Sequence, residues 1–457
     1  MAPSIARAPG RSAKFLEGNL FRHVAVMSLT SSVGLMLLFM VDFVNIIFIS
    51  WLGDADLTAA GGYAGAILFF TTSFGIGMAI AASALVARAV GQGDLAEART
   101  KATNAVIWGI VFGIFFVVLV CFNLRFVVGA LGATGRTLDQ AVQYLSIVVP
   151  TLPLLMVGMI GGAILRSHGD AKRAMLATIY GGLANAALDP IMIFGLGLDL
   201  TGAAIATVVA RFVIAGTALL PVMRHYGGFD RPSWPSLSLD LRPIAMIAFP
   251  AILTQLATPV GQAFVTRAVS GYGEAAVAGM AVIGRMTPVA FGVIFALSGA
   301  IGPIIGQNYG AGKMDRVRLA FIEGLRFTAL FTVAVAGVLF VLRSPIADLF
   351  QAEGVTRQII YLFCGPLALL FFFNGLIFVA NSAFNNLGYP FHSTWTNWGR
   401  HTIGTIPLAL LGGSLLGAQG VLLGQAAGGV AFGLVAWWLA LRLMPKVGEP
   451  SITVPLA

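Results

Sequence analysis

Long apolar stretches recur along this chain, separated by short polar joints. A helix needs about 20 apolar residues to cross a bilayer, and on that measure the pattern predicts twelve crossings. Six lie near 24–50, 60–86, 103–124, 138–164, 174–195 and 202–223, and six more near 244–269, 275–299, 319–342, 357–384, 393–413 and 420–443. Between the two sets, HYGGFDRPSWPSLSLDLRP at 225–243 is the longest polar stretch. The expected fold is an all-α polytopic membrane protein of two six-helix bundles. A first lobe at 24–224 and a second at 244–444 are joined by the linker 225–243, with cytoplasmic tails at 1–23 and 445–457.

The two halves read as copies of one another. GQGD at 91 pairs with GAGK at 310, and LRSHGD at 165 with NNLGYP, which sets Gly169 opposite Gly388. Gly53 pairs with Gly273 and Gly202 with Gly420, all at separations of 218 to 220 residues. Six crossings per copy is an even number, so both copies enter the membrane from the same face. The implied symmetry is a two-fold along the membrane normal, with a solute route between the bundles.

Composition supports this class: 58% of residues are hydrophobic and 10% charged, against about 25% charged in soluble proteins. The net charge of +9 fits cationic loops facing an anionic leaflet, and nucleic acid is not an expected partner. Lys and Arg crowd the joints on the side of the N-terminus, which predicts that both termini are cytoplasmic. Cys121 and Cys364 lie in apolar segments, with neither disulfide nor metal-ligand spacing. The basic N-terminus lacks the short apolar run and cleavage site of a signal peptide.

Two carboxylates stand inside the apolar bulk: Asp42 in FMVDFVNIIFI and Asp189 in NAALDPIMIFG. A charge at membrane depth costs about 2.5–3.5 kcal/mol on insertion scales, so such residues mark ion or solute pathways. Asn185 and Asp189 are four apart and share a helix face. Pro190 removes the hydrogen bond to the Ala186 carbonyl and breaks the helix beside the carboxylate. Two acids in one poorly hydrated lobe suit proton exchange or Na⁺ binding; the structural alternative is pairing with Arg211 or capping of the broken helix.

Tyr144, Asn45, Asn104 and Thr207 add polarity to the same half, where interhelical hydrogen bonds are the competing explanation. The second half has no acid in its bulk. Gln255, Thr258, Gln262, Asn374 and Asn381 supply neutral polarity there, and together with Asn45 they are the candidate solute contacts. The five histidines fall at helix ends or loops. No zinc motif, P-loop, nucleophile elbow or dinucleotide fingerprint occurs in a fitting context, so neither an enzyme nor a bound cofactor is expected.

Taken in order, VDFVNIIFISWLGDADLTAAG at 41–61, VARAVGQGDLAEAR at 86–99, LRSHGDAKRAM at 165–175, NAALDPIMIFGLG at 185–197 and IGQNYGAGKMDRVR at 305–318 resemble the MATE (multidrug and toxic compound extrusion) family. The resemblance runs over nearly the whole chain and is nearest to the prokaryotic DinF-like branch. It implies a monomeric antiporter of a bacterial inner membrane that exports lipophilic or cationic compounds in exchange for H⁺ or Na⁺.

Carried over by position, Asp42 matches the family's first-helix acid and Asn185 with Asp189 its Asn-x-x-x-Asp pair. Tyr144 and Thr207 complete a coupling site in the first lobe. If the ion is Na⁺, Asp42, Asn185, Asp189 and Thr207 are the implied ligands. Two departures stand out. Residues 22–41 lack the family's first-helix proline, and the second lobe lacks the acids of the NorM-like branch. A lipid-linked oligosaccharide flippase of the same superfamily is the alternative function.

Overall fold

The computed structural model describes residues 13–52 and 54–444. Gly53, the outer part of the N-terminal tail and the tail at 445–457 lie outside the described residues. The first lobe is built from α1 (Leu20–Trp51), α2 (Ala55–Gln92), α3 (Leu95–Cys121), α4 (Leu124–Ala130), α5 (Gly135–Val148), α6 (Leu152–Ser167), α7 (Ala171–Pro190) and α8 (Asp199–His225). The second comprises α9 (Trp234–Ser270), α10 (Glu274–Gly310), α11 (Met314–Leu349), α12 (Gly354–Leu362), α13 (Ala368–Leu387), α14 (Pro390–Gly399) and α15 (Thr405–Leu443).

Eleven segments among the described residues are long and apolar enough to cross a membrane. The longest, Pro390–Leu443, contains a break at Leu416 and at Gly417 (φ 60, ψ −143), a conformation open to glycine and almost no other residue. It is therefore two crossings, which gives the twelve expected. Irregular turns interrupt several spans where proline removes a backbone donor. Val149–Thr151 joins α5 to α6, Ile191–Gly195 follows Pro190, and Phe363–Leu367 joins α12 to α13. Arg400–Gly404 is a further π turn, between α14 and α15, with no proline of its own.

Part of the polar linker proves to be helix, since α9 begins at Trp234. The reason is Asp240, which is buried against α3 and accepts from Asn104 Nδ2 at 2.7 Å and Lys101 Nζ at 2.5 Å. Asn104 thus ties linker to lobe. Short α4 sits in what reads as the joint between the third and fourth spans.

The repeat is visible in the contacts themselves. A methyl on Gly91 would overlap the Gln307 carbonyl, and one on Gly310 the Arg88 carbonyl. Because 88 and 91 correspond to 307 and 310 at a spacing of 219 residues, this is one contact made twice, across the pseudo-two-fold. Glycine at both positions lets α2 and α10 meet backbone to backbone.

That end of the molecule is closed by further cross-lobe bonds. Arg88 Nη2 donates to Asn386 O at 2.6 Å and stacks over Tyr309, while Gln307 Nε2 donates to Ser167 O at 2.7 Å. Residues 13–19, expected to be plain tail, form a strap across the seam. Phe15 is fully buried in the apolar core of the second lobe, and its ring tip approaches Gly169 of the first. Its N–H donates to Gln307 Oε1 (3.0 Å), and its carbonyl accepts from Asn308 Nδ2 (3.2 Å) and Arg316 Nη2 (2.9 Å). Lys14 Nζ donates to Gly169 O at 2.8 Å. The apolar ring and the backbone polar groups of Phe15 are matched together, which is why so short a segment stays docked.

Candidate functional site

The fifth span positions the central acid. Pro190 ends α7 and hands over to a π turn, and the carboxylate of Asp189 is left on the last regular turn with no solvent exposure. Asn185, one turn earlier and also buried, donates from Nδ2 to Asp189 Oδ1 at 3.3 Å. From α1, Asn45 donates Nδ2 to Asn185 Oδ1 at 3.1 Å and also reaches Asp189. The polar chain Asn45–Asn185–Asp189 therefore bridges first and fifth spans.

Two acceptors in this chain have no donor: Asp189 Oδ2 and Asn45 Oδ1 are both buried without a hydrogen-bond partner. An unsatisfied buried acceptor costs about 1–3 kcal/mol, more when charged. A proton on the carboxylate or a small cation between the oxygens would satisfy them. The donor set is all oxygen, as a hard ion such as Na⁺ requires.

Asp42 lies one turn before Asn45 on α1, is exposed like its neighbour Phe43, and is within electrostatic range of Asp189. Tyr144 on α5 places its hydroxyl at hydrogen-bonding distance from Thr207 of α8, within electrostatic range of Asp42, Asp189 and Arg211. Thr207 in turn donates to Ala203 O at 2.9 Å. The five residues expected as a coupling site thus surround one region of the first lobe, and Asn45, expected to touch solute, belongs with them.

Arg211 does not neutralise either acid. It is buried, and its Nη1 donates to Val148 O and Thr151 Oγ1, both at 2.8 Å, at the irregular turn between α5 and α6. The turn frees a backbone carbonyl that a guanidinium can use, a partner that spacing alone does not reveal. Among the described residues, neither Asp42 nor Asp189 forms an ion pair.

The second-lobe polar residues are dispersed. Gln262 accepts from Gln425 Nε2 at 3.1 Å; Thr258 is exposed; Gln255 is half-buried. Asn374 Oδ1 is buried without a partner near Gly429. Asn381 is buried, its Oδ1 occupied by Asn397 Nδ2 at 3.2 Å. His401 is the residue that sequence reading passed over. It sits on the π turn between α14 and α15, 2% exposed, with both ring nitrogens unpartnered.

Comparison with known proteins gives the same architecture. A transporter of Shewanella oneidensis named FAD transporter is 28% identical over 94% of this chain and 97% of its own. The multidrug export protein MepA of Staphylococcus saprophyticus is 23% identical over 70% of this chain and 71% of its own. An outward-facing multidrug resistance MATE transporter superposes with a TM-score of 0.88 at 21% identity, covering 96% of this chain and 99% of that one. The MatE family model matches twice, at 31–191 and 250–410, the same 219-residue displacement as the reciprocal glycine contacts, and the chain belongs to this family of membrane transporters.

Proposed function

We propose that the chain is an ion-coupled antiporter of a bacterial inner membrane, of the DinF-like kind, which exports amphiphilic small molecules in exchange for H⁺ or Na⁺. The observation that carries this reading is the pair of orphaned acceptors, Asp189 Oδ2 and Asn45 Oδ1, in a lobe where neither Asp42 nor Asp189 has an ion-pair partner among the described residues. Asp189 and Asp42 take up the ion; Asn185 and Asn45 orient the Asp189 carboxylate; Tyr144 and Thr207 line the same pocket. For Na⁺ the ligands are Asp42, Asn185, Asp189 and Thr207. Loading from outside repacks the pocket and lowers solute affinity, and release to the cytoplasm resets it. Such coupling requires that ion and solute favour different states of the lobes.

Both termini are cytoplasmic in this reading, so the strap closes the inner face. The unit is a monomer in the bilayer, and the transported ion is the sole inorganic requirement. Relatives named for drug export and for FAD transport support a small-molecule cargo, of which lipophilic cations are one class. A flippase for lipid-linked oligosaccharides is the alternative.

The test uses proteoliposomes holding a fluorescent lipophilic cation, with an inward pH gradient and an inward Na⁺ gradient imposed separately on wild type and Asp189→Asn. Export driven by one gradient and lost in the variant identifies the ion. Export untouched by the substitution refutes the coupling role, and no export under either gradient favours the flippase.

A further inference from the structure

At membrane depth the lobes differ in their charged groups. The first holds Asp42 and Asp189, with Arg211 tied to backbone and Thr151. The second holds Arg285 on α10 and, on the π turn, the consecutive pair Arg400 and His401. Counting about 1.5 Å per residue from Pro390, Arg400 and His401 lie about 16 Å along their span, near the middle of a roughly 30 Å hydrocarbon layer.

None of the three is compensated. Among the described residues, neither guanidinium has a carboxylate or hydrogen-bond acceptor. The Arg285 guanidinium instead lies over the Phe43 ring of the first lobe, 5.9 Å from its centroid, and so points across the seam. Arg400 is half-buried and close enough to His401 for its charge to be felt at the ring. The His401 ring packs on Gly261 of α9, with both nitrogens buried and unpartnered.

The repeat gives this arrangement its meaning. At the 219-residue spacing, Gly261 corresponds to Asp42 and His401 to Gly182. Where the first lobe has a carboxylate on its first span and glycine at the matching position of its fifth, the second lobe sets glycine against an imidazole, with an arginine beside it. An unpaired cation at this depth is costly, and proteins normally answer it with a buried acid or, as at Arg211, with backbone carbonyls. Among the described residues Arg285 and Arg400 have neither.

We propose that Arg400 with His401, and separately Arg285 at the seam, are polar contacts for the oxyanion of the cargo, a phosphate or carboxylate on an aromatic or amphiphilic solute. The cargo's anionic group completes the second lobe as the coupling ion completes the first. Phe43, already beneath a guanidinium, offers the aromatic part a stacking surface. This inference rests on the transport reading above but not on its ion coupling.

The experiment measures equilibrium binding to the purified full-length protein in detergent, where no ion gradient is needed. The probes are riboflavin and its phosphate ester FMN, whose shared ring reports by fluorescence and which differ in the phosphate. FMN is expected to bind about tenfold or more tightly than riboflavin, the worth of one charge-assisted contact. Arg400→Gln is expected to remove most of that preference, while Arg400→Lys restores part of it. Arg285→Gln, at an exposed position, supplies the same comparison if the Arg400 variants do not fold. FMN binding no tighter than riboflavin, including binding of neither, overturns the proposal. So does a preference for FMN that survives both Arg→Gln changes.

Discussion

Phe15→Ala tests whether the strap holds one end of the molecule shut. The substitution strips a ring with no solvent exposure but leaves the backbone bonds to Gln307, Asn308 and Arg316 in place. Truncating a fully buried Phe costs about 3–5 kcal/mol. The lower figure suits a surface segment that can resettle. The ring spans the seam, since it sits in the second-lobe core and against Gly169 of the first. The part of the loss that falls on the closed arrangement is at most about 3 kcal/mol, which multiplies the open-to-closed ratio by up to roughly 150. Spin labels on Gln92 and Asp315, exposed positions on opposite lobes, would report it in a background with Cys121 and Cys364 replaced by Ser. A second, longer distance population is expected in the variant. One unchanged distance in both proteins refutes the strap as a closing element.

Gly91→Ala should act at the same seam by overlap with the Gln307 carbonyl, costing about 1–3 kcal/mol and lengthening the same label distance. Asp189→Asn should leave thermal stability equal or raised, because it removes a buried carboxylate oxygen that has no partner; a fall of several degrees would mean that the charge holds the fold. Stability should also fall as pH drops below 6.5. Burial pushes His168, stacked on Tyr226, down to about 4, with Asp170 opposing. Between about 6.5 and 4 the unfolded chain thus binds a proton that the folded chain does not. For Asp170, burial alone would raise the carboxyl, but bonds from Arg173 and Tyr226 outweigh it and hold it below the usual range. Its contribution is therefore present above about pH 3.9 and lost as pH falls further. Melting curves of His168→Phe, which keeps the stack, should flatten between pH 6.5 and 4 and not below.

The twelve spans and the duplication were legible because both are written in composition and glycine spacing, which depend on backbone demands alone. Asp42 and Asp189 stood out for a similar reason: a carboxylate in an apolar run has few structural excuses, and Asn185 was read with them because it lies one turn from Asp189. Asn45 was placed with solute contacts because an amide at membrane depth gives no sign of which neighbour it will meet. Arg211 was weighed as an acid's partner because the competing acceptor, the Val148 carbonyl, exists only once the chain turns irregularly there. His401 looked like one histidine among five at helix ends; its burial depends on Gly261, 140 residues earlier, leaving room for the ring. The strap was hidden by its basic flanks, since one phenylalanine in a charged tail carries no periodic signal.

The uninterrupted first helix has a mechanical consequence. From Leu20 to Trp51 it contains no proline and no break, whereas α9, its counterpart, contains Pro243, Pro250 and Pro259. The helix therefore behaves as a stiff lever arm, with the docked strap at one end and Asp42 about 33 Å away. A tilt of about 5° pivoting at Asp42 displaces the Leu20 end by about 3 Å. That displacement is as large as the hydrogen bonds that seat Phe15 are long, so a small repacking around the acid at one end is geometrically sufficient to unseat the seal at the other.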